Sequence, residues 1–303
     1  MAVGWIKLSG VTVCLFIALS QIVQAQIVTD GTLGKAATLS GPNFQISSEL
    51  GKSVGANLFH SFSEFSLQKG EAAVFTGPEN IENILNKIKK GELNGINVTV
   101  PFKKSVIPFV EKLTPEANKS NSVNTIYVED NKIIGHNTDI AGFELSIRHI
   151  KYEIKNKKIF ILGAGGVVSS IILGLKNMGC SKIFISNRTT QKAKDLKNYF
   201  NDLEIIEWGE VPEFDMIINA TSLGLKKDDE IKLNYKDIGS NKFFYDVIYN
   251  PMQTSFLKKA KEFGHRTENG KMMFIYQAHQ AFTIWNNVMP KIDDEVIKLL
   301  END

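Results

Sequence analysis

The sequence predicts an α/β protein: a doubly wound, parallel-sheet domain joined to a shortened α/β lobe, with a β-rich fragment in front. Three observations carry that prediction. From about residue 84 onward, strand-length apolar runs alternate with helix-length amphipathic ones. The apolar run at 158–162 leads straight into a glycine turn that opens a helix. Residues 26–84 instead show brief apolar runs broken by Gly31, Gly34, Gly41, Gly51, Gly55, Gly70 and Gly77, the pattern of short strands and turns.

Composition bounds the function classes. The 303 residues are 43% hydrophobic and 22% charged, enough to bury a core and ample for two domains. The net charge of +2 arises from 35 basic and 33 acidic residues, so no strong field recruits nucleic acid or anionic lipid. Two cysteines make no disulfide framework, and no Cys/His cluster has zinc-ligand spacing, so no metal is expected. No apolar run reaches the roughly 18 residues of a membrane-spanning helix. The averages conceal a seam. Residues 1–84 hold four lysines, no arginine and six acids, whereas the other 219 hold 31 basic and 27 acidic residues. A shift this sharp marks a boundary between segments of separate origin.

The first 25 residues have the layout of an export signal: Lys7, then the apolar stretch Val11–Leu19, then Val23-Gln24-Ala25 before Gln26. A buried N-terminal helix is the alternative. Cys14 lies inside the apolar stretch. In residues 26–84, Phe59, Phe62, Phe65 and Phe75 are candidates for inward positions. The segments Gln26–Thr32, Gly41–Ile46, Asn57–Phe62 and Phe75–Pro78 occur in an order that resembles the filamentous haemagglutinin-type secretion domain. That resemblance implies the export module of a large secreted adhesin, capping a parallel β-helix, and it ends near Asn83. A solenoid fragment without stacked neighbours leaves its faces uncovered.

The second part reads as follows. Asn83–Lys90 is a short amphipathic helix with Gly91 at its C-cap. Ile96–Val100 is a strand, ended by Pro101, which presents Lys103 at a helix start. Lys158–Leu162 is a strand, Gly163-Ala164-Gly165-Gly166 a turn, Val167–Met178 a helix closed by Gly179, and Lys182–Ser186 the next strand. Glycines at such a corner let backbone approach a pyrophosphate, towards which the free N–H groups of the helix start point. A plain turn is the alternative. Val168 stands where the third glycine or alanine of GxGxxG belongs. At the end of the second strand an NAD site expects an acid. This chain offers Asn187-Arg188-Thr189 with Lys192 a helical turn later, groups suited to a 2′-phosphate, which favours NADP. Incidental surface cations are the alternative, although the chain has only three arginines.

Taken singly, Lys103 reads as a solvated lysine and Asp139 as a helix N-cap. Eight motifs taken in order say more: NVTVPFK (97–103), VNT (123–125), NTDIAGF (137–143), GAGG (163–166), NRT (187–189), NATS (219–222), YDVIYNP (245–251) and GKMM (270–273) followed by Gln277-Ala278. From about residue 85 to the C-terminus the chain resembles shikimate dehydrogenase. The resemblance implies a Rossmann-type NADP domain and reversible, NADPH-dependent reduction of 3-dehydroshikimate to shikimate in aromatic amino acid biosynthesis. It implies Lys103 as the acid–base group with Asp139 as its partner, because a carboxylate orients an ammonium and the two can pass a proton. Thr99, Asn124, Asp139, Tyr249 and Gln277 are implied to hold substrate. Gly163, Ala164, Gly165, Gly166, Val167, Asn187, Arg188, Thr189, Lys192, Thr221, Val247 and Gly270 are implied to hold the cofactor. Gln277 is expected to open a helix that returns to the substrate lobe.

The domain plan that results is a signal peptide at 1–25, a secretion-type fragment at 26–84, a truncated substrate lobe at 85–145, an NADP domain at 146–270 and C-terminal helices at 271–303. His60-Ser61-Phe62-Ser63 imitates the family's HSxSP element, but Glu64 replaces the proline, and we read it as not binding substrate. His136, His149, His265, His279 and Cys180 are read as structural or exposed. The enzyme resemblance implies a cytoplasmic protein and the leader implies export. A secreted adhesin-type protein, or a fused reading frame without joint function, is the competing expectation.

Overall fold

The computed structural model describes residues 26–54, 57–60, 62–65, 72–75, 81–99, 102–226 and 229–299. The leader at 1–25, Val100-Pro101 and Ser61 lie outside the described residues, as do the side chains of Phe59, His60, Phe65 and Phe75. The chain divides into two compact units, 1–80 and 81–303. That division falls four residues before the sequence seam.

The smaller unit is β-rich as expected. Its strands are β1 (Ile27–Thr29), β2 (Ala37–Leu39), β3 (Asn43–Ile46), β4 (Gly51–Val54), β5 (Asn57–His60), β6 (Phe62–Phe65) and β7 (Ala72–Phe75). They form an antiparallel sheet β2-β1-β6, a parallel pair β3-β7 and an antiparallel pair β4-β5. Ile27, Phe44 and Ile46 are buried together, with Leu39 and Phe62 against them, so Phe62 faces inward. Asp30 accepts from the backbone N–H and the hydroxyl of Thr32 at 2.8 and 2.7 Å, the Asx turn that fixes the loop after β1.

The larger unit begins with α1 (Ile81–Lys89), after which Gly91 takes φ +76° as a C-cap does. A small sheet follows, from β8 (Gly95–Asn97), β9 (Lys112–Leu113), β10 (Thr125–Glu129) and β11 (Lys132–His136), in the order β8-β10-β11-β9. β10 and β11 form a hairpin whose two-residue loop, Asp130-Asn131, has φ of +49° and +59°. That is the mirror-image turn matching strand twist. Between β9 and β10 lies α2 (Pro115–Ser120), with proline in its first turn and the Thr114 hydroxyl accepting from Ala117 N. The strand ends at Asn97, short of the Val100 expected, and the last bond to β10 is Val98 N–H to the Asn124 carbonyl at 2.8 Å.

α3 (Asp139–His149) leads to the large sheet. Its strands are β12 (Lys158–Leu162), β13 (Lys182–Ser186), β14 (Glu204–Ile205), β15 (Met216–Asn219), β16 (Phe243–Asp246) and β17 (Arg266–Glu268), all parallel in the order β14-β13-β12-β15-β16-β17. Helices α4 (Val168–Asn177), α5 (Thr190–Tyr199), α6 (Ser255–Glu262), α7 (Lys271–Asn286) and α8 (Asp294–Leu299) complete the unit. The strands are apolar nearly throughout because both faces are covered. The order reverses between β12 and β15, and a crevice opens where their carboxyl ends part. Val168 does not disturb this corner. It is fully buried in the core on one face of the sheet.

α7 returns along α3, and Gly142 sets how closely. A Cβ there would sit 2.9 Å from the Met273 carbonyl oxygen and from Gln277 Cβ. Gln277 therefore lies inside α7, in its second turn, rather than at its opening as the sequence reading has it. No helix among the described residues is long and apolar enough to cross a membrane.

One buried histidine makes the larger unit sensitive to acid. His265 is buried, stacked on Phe244 with centroids 5.0 Å apart, and neither ring nitrogen has a hydrogen-bond partner among the described residues. Burial, aided by the nearby Lys242 charge, holds its pKa below the ordinary 6.5. Above that pH the ring is neutral folded or unfolded. As pH falls below it, the unfolded chain takes up a proton that the folded ring resists, so stability drops. We predict that the urea midpoint falls less steeply between pH 7 and 5 in His265→Phe, which keeps the ring stack, than in the wild type.

Candidate functional site

Lys103 and Asp139 meet. Lys103 Nζ lies 2.6 Å from Asp139 Oδ2, with side chains only 12% and 6% exposed. Neither element is what its local sequence favours. Lys103 sits in a run of turns, not at a helix start, anchored by Val123 N–H donating to its carbonyl at 2.8 Å. Asp139 is the first residue of α3 and Thr138 is the N-cap, so its carboxylate is free to turn towards Lys103.

The second carboxylate oxygen is held as well. Asn124 Nδ2 donates to Asp139 Oδ1 at 2.9 Å and to the Thr138 hydroxyl at 2.9 Å, with Gln277 Oε1 at 3.4 Å. Asn124 Oδ1 accepts from Thr138 N–H at 2.8 Å and from the Thr125 hydroxyl at 3.1 Å. Four residues separated by up to 174 positions in the chain, Lys103, Asn124, Asp139 and Gln277, thus form one hydrogen-bonded cluster. Thr99 is exposed, and its carbonyl accepts from Phe102 N–H at 2.8 Å on the same turn as Lys103.

Tyr249 stands apart from that cluster, stacked on Phe274 at 4.5 Å. Gln277 Nε2 donates to the Phe274 carbonyl at 3.1 Å, so α7 connects the two places.

The crevice at the strand reversal is a cavity of about 740 Å³. Eleven of the twelve cofactor positions named from the sequence line it, from the glycine turn and Asn187–Thr189 to Lys192, Thr221 and Val247. Tyr249 lines it too. Gly270, the twelfth, does not. It caps α7, and its N–H donates to the Ile248 carbonyl at 3.2 Å, behind the wall. Gly163 has φ +110°, and a Cβ on it would lie 2.6 Å from the Ala220 carbonyl oxygen. Glycine is required there for both reasons. A Cβ on Gly165 would meet only one atom, at 3.9 Å, so the next turn stays open to a ligand.

Sequence reading missed what builds the opposite wall. Asp246 is fully buried at the end of β16 and accepts from Thr254 Oγ1 at 2.6 Å, Asn219 Nδ2 at 3.0 Å and Ile248 N–H at 3.0 Å. Burial pushes its pKa up to about 6 against those hydrogen bonds. Asn219 Oδ1 in turn accepts from the N–H and hydroxyl of Thr221 at 3.0 and 2.7 Å. The motifs around Asn219 and Asp246 were visible, but nothing local told that the two side chains meet. Trp208, Leu223 and Leu225, which carry no motif, also line the cavity, as do Ser222 and Asn250 from motifs already named.

The remaining candidates lie elsewhere. His136 Nδ1 is 2.8 Å from the Thr114 hydroxyl, and burial lowers its pKa. His149 contacts Tyr276 and His279 contacts the Pro290 carbonyl. Burial pushes the Cys180 thiol up to about 11, which leaves it unreactive.

Known proteins are similar in sequence and fold. A family model for the shikimate dehydrogenase substrate binding domain matches residues 47–126, and one for shikimate / quinate 5-dehydrogenase matches 145–234. The first match reaches back across the sequence seam and overlaps the secretion-type segment. The shikimate dehydrogenase (NADP(+)) of Pelagibacter ubique is 59% identical over 221 residues, covering 73% of this chain and 83% of that protein. The shikimate dehydrogenase structure from Aquifex aeolicus is 36% identical, with a TM-score of 0.65, covering 77% of this chain and 88% of that one. The Thermus thermophilus shikimate 5-dehydrogenase, solved with NADP(H) and shikimate, is 26% identical with a TM-score of 0.64, covering 76% and 88%.

The glycine corner gives a direct test. Gly163→Ala forces an L-residue to positive φ against a carbonyl, at a cost of about 1–3 kcal/mol. We expect a lowered melting temperature together with weakened dinucleotide affinity by titration. An unchanged affinity would mean that the corner does not face the ligand.

Proposed function

The chain belongs to the shikimate dehydrogenase family, and from that premise we infer that it interconverts 3-dehydroshikimate and shikimate with NADP as its cofactor. The observation that carries the reading is the Lys103–Asp139 pair, withdrawn from water and braced by Asn124 and Gln277. When bound, the reduced nicotinamide supplies the hydride that reaches the substrate's carbonyl carbon. Lys103 Nζ supplies the proton that the carbonyl oxygen then needs and takes it back in the reverse direction. Asp139 keeps the ammonium aimed while its other oxygen is occupied by Asn124, so the carboxylate cannot rotate away. Asn124, Gln277, Thr99 and Tyr249 supply the polar groups that a polyhydroxylated ring requires.

The crevice residues fit a phosphorylated dinucleotide. An open glycine turn at the start of α4 suits a pyrophosphate. Arg188, Thr189 and Lys192 at the far end suit a 2′-phosphate, and no acid from that strand end stands where a ribose diol would need one. We assign the substrate lobe to residues 85–145, the cofactor domain to 146–270 and the returning helices to 271–303.

Residues 1–46 precede the family match. We propose for them the export-type leader and secretion-domain fragment that their motifs resemble, while 47–84 is claimed both by that resemblance and by the substrate-domain match. The enzyme reading places the chain in the cytoplasm beside its cofactor. Sequencing the N-terminus of the protein recovered from whole cells and from medium tests the leader.

Two outcomes follow for turnover. Lys103→Ala should lower kcat for shikimate oxidation about 10²–10⁴-fold, with NADP affinity by titration unchanged; retained kcat would exclude Lys103 as the acid–base group. Arg188→Ala should raise KM for NADP about tenfold and leave KM for NAD nearly unaltered, measured in parallel steady-state assays.

A further inference from the structure

We propose that Asn137 is a positioning residue that couples the Lys103–Asp139 pair to the first turns of α4, the helix that follows the glycine corner; this rests on the reading of that pair as the acid–base machinery.

Asn137 is 1% exposed, and its hydrogen bonds reach three separate elements. Its Nδ2 lies 2.9 Å from the Ser122 carbonyl, 3.0 Å from Ser170 Oγ and 3.1 Å from Ser120 Oγ. Its Oδ1 lies 3.3 Å from Ile140 N–H and 3.3 Å from Ser170 Oγ. Ser120, Ser122 and Ser170 are fully buried. Water cannot replace these bonds, so breaking one leaves a polar group unpaired.

What Asn137 grips is what holds the pair. The three residues 122–124 act as a bracket. Ser122 offers its carbonyl to Asn137, Val123 N–H donates to the Lys103 carbonyl at 2.8 Å, and Asn124 Nδ2 donates to Asp139 Oδ1 at 2.9 Å. On the other side Asn137 accepts from Ile140 N–H, one residue beyond Asp139 at the start of α3. One buried amide therefore fixes the bracket and the helix start relative to each other. Ser170, the third residue of α4, ties both to the cofactor side. Active-site geometry tolerates little looseness, and a displacement of about 1 Å can cost on the order of 10²-fold in rate. An apolar side chain of similar volume would fill the space without fixing either register.

Two measurements test this. The first is kinetic. Asn137→Ala should lower kcat for shikimate oxidation roughly tenfold or more, yet produce less than about a twofold further loss when Lys103 is already Ala, since residues acting as a unit are non-additive. NADP affinity by titration should stay within about threefold in either background. The same kcat loss in both backgrounds would overturn the proposal, because a residue that merely supports the fold acts whether or not Lys103 is present. The second is native-state amide exchange on the ligand-free chain. Val123 and Thr138, whose N–H groups bond Lys103 and Asn124 rather than Asn137, should exchange faster in Asn137→Ala and in Ser170→Ala. Unchanged protection at both would overturn the coupling. Ser170→Ala removes a single hydroxyl and carries both measurements if Asn137→Ala does not fold. A wild-type chain that does not oxidise shikimate would overturn the enzymatic reading itself, and the exchange experiment would still decide the coupling.

Discussion

An ammonium and a carboxylate, both nearly removed from water, face each other at 2.6 Å, and the lobe around them is arranged to keep them there. Such a pair is no gift to stability. Desolvating two charges costs several kcal/mol per ion, and their attraction offsets this only where the remaining lone pairs are also satisfied. Here the second carboxylate oxygen receives the Asn124 amide. Asn124 is itself satisfied on both sides of its amide. The geometry depends in turn on a close approach between two helices. Gly142 lets α7 lie against α3 near Asp139, and that brings Gln277 to the cluster from more than a hundred residues away. A bulkier residue on α3 would move the amide out of reach.

The nucleotide crevice follows from a different constraint. Parallel strands whose order reverses must part at their carboxyl ends, and the loops leaving β12 and β15 turn to opposite sides. One wall is the glycine corner. The other depends on a buried acid, Asp246, whose three hydrogen bonds hold the Asn219–Leu223 turn and the start of the next loop together. Burial raises its pKa while those donors lower it, the balance of a carboxylate used as a structural acceptor. The crevice and the ion pair are linked through α7 by the stacked rings of Tyr249 and Phe274 and the bond from Gln277 to the Phe274 carbonyl.

How much of this could be read beforehand varied with the range of the interaction. The strands Lys158–Leu162 and Lys182–Ser186 match residue for residue, because strands covered on both faces are apolar along their whole length. The hairpin loop at Asp130-Asn131 carried a turn signal that the sequence reading passed over. Lys103 and Asp139 each favoured a bland local role, a solvated lysine and an N-cap. Only motif order raised them, and Thr138 took the cap that Asp139 left. Val168 broke the glycine pattern yet fits, since close helix–strand contact here is made by a branched side chain buried in the core. Asn137, Asn219 and Asp246 were invisible as functional supports. Their partners lie 15 to 33 residues away at Ser122 and Ser170, or 27 residues away for the Asn219–Asp246 bond, and hydrogen bonds at such separations leave no periodic trace.

The division near residue 80 leaves the described site on one side of it. Every residue of the ion-pair cluster and every wall of the crevice belongs to the unit 81–303. That unit has its own apolar clusters on both faces of the large sheet and a third under the small one. The smaller unit's buried apolar group among the described residues is Ile27, Phe44 and Ile46 with two partial neighbours. The hydrogen-bonded cluster is assembled wholly from residues of the larger unit, so its contacts do not depend on which ancestry residues 47–80 have.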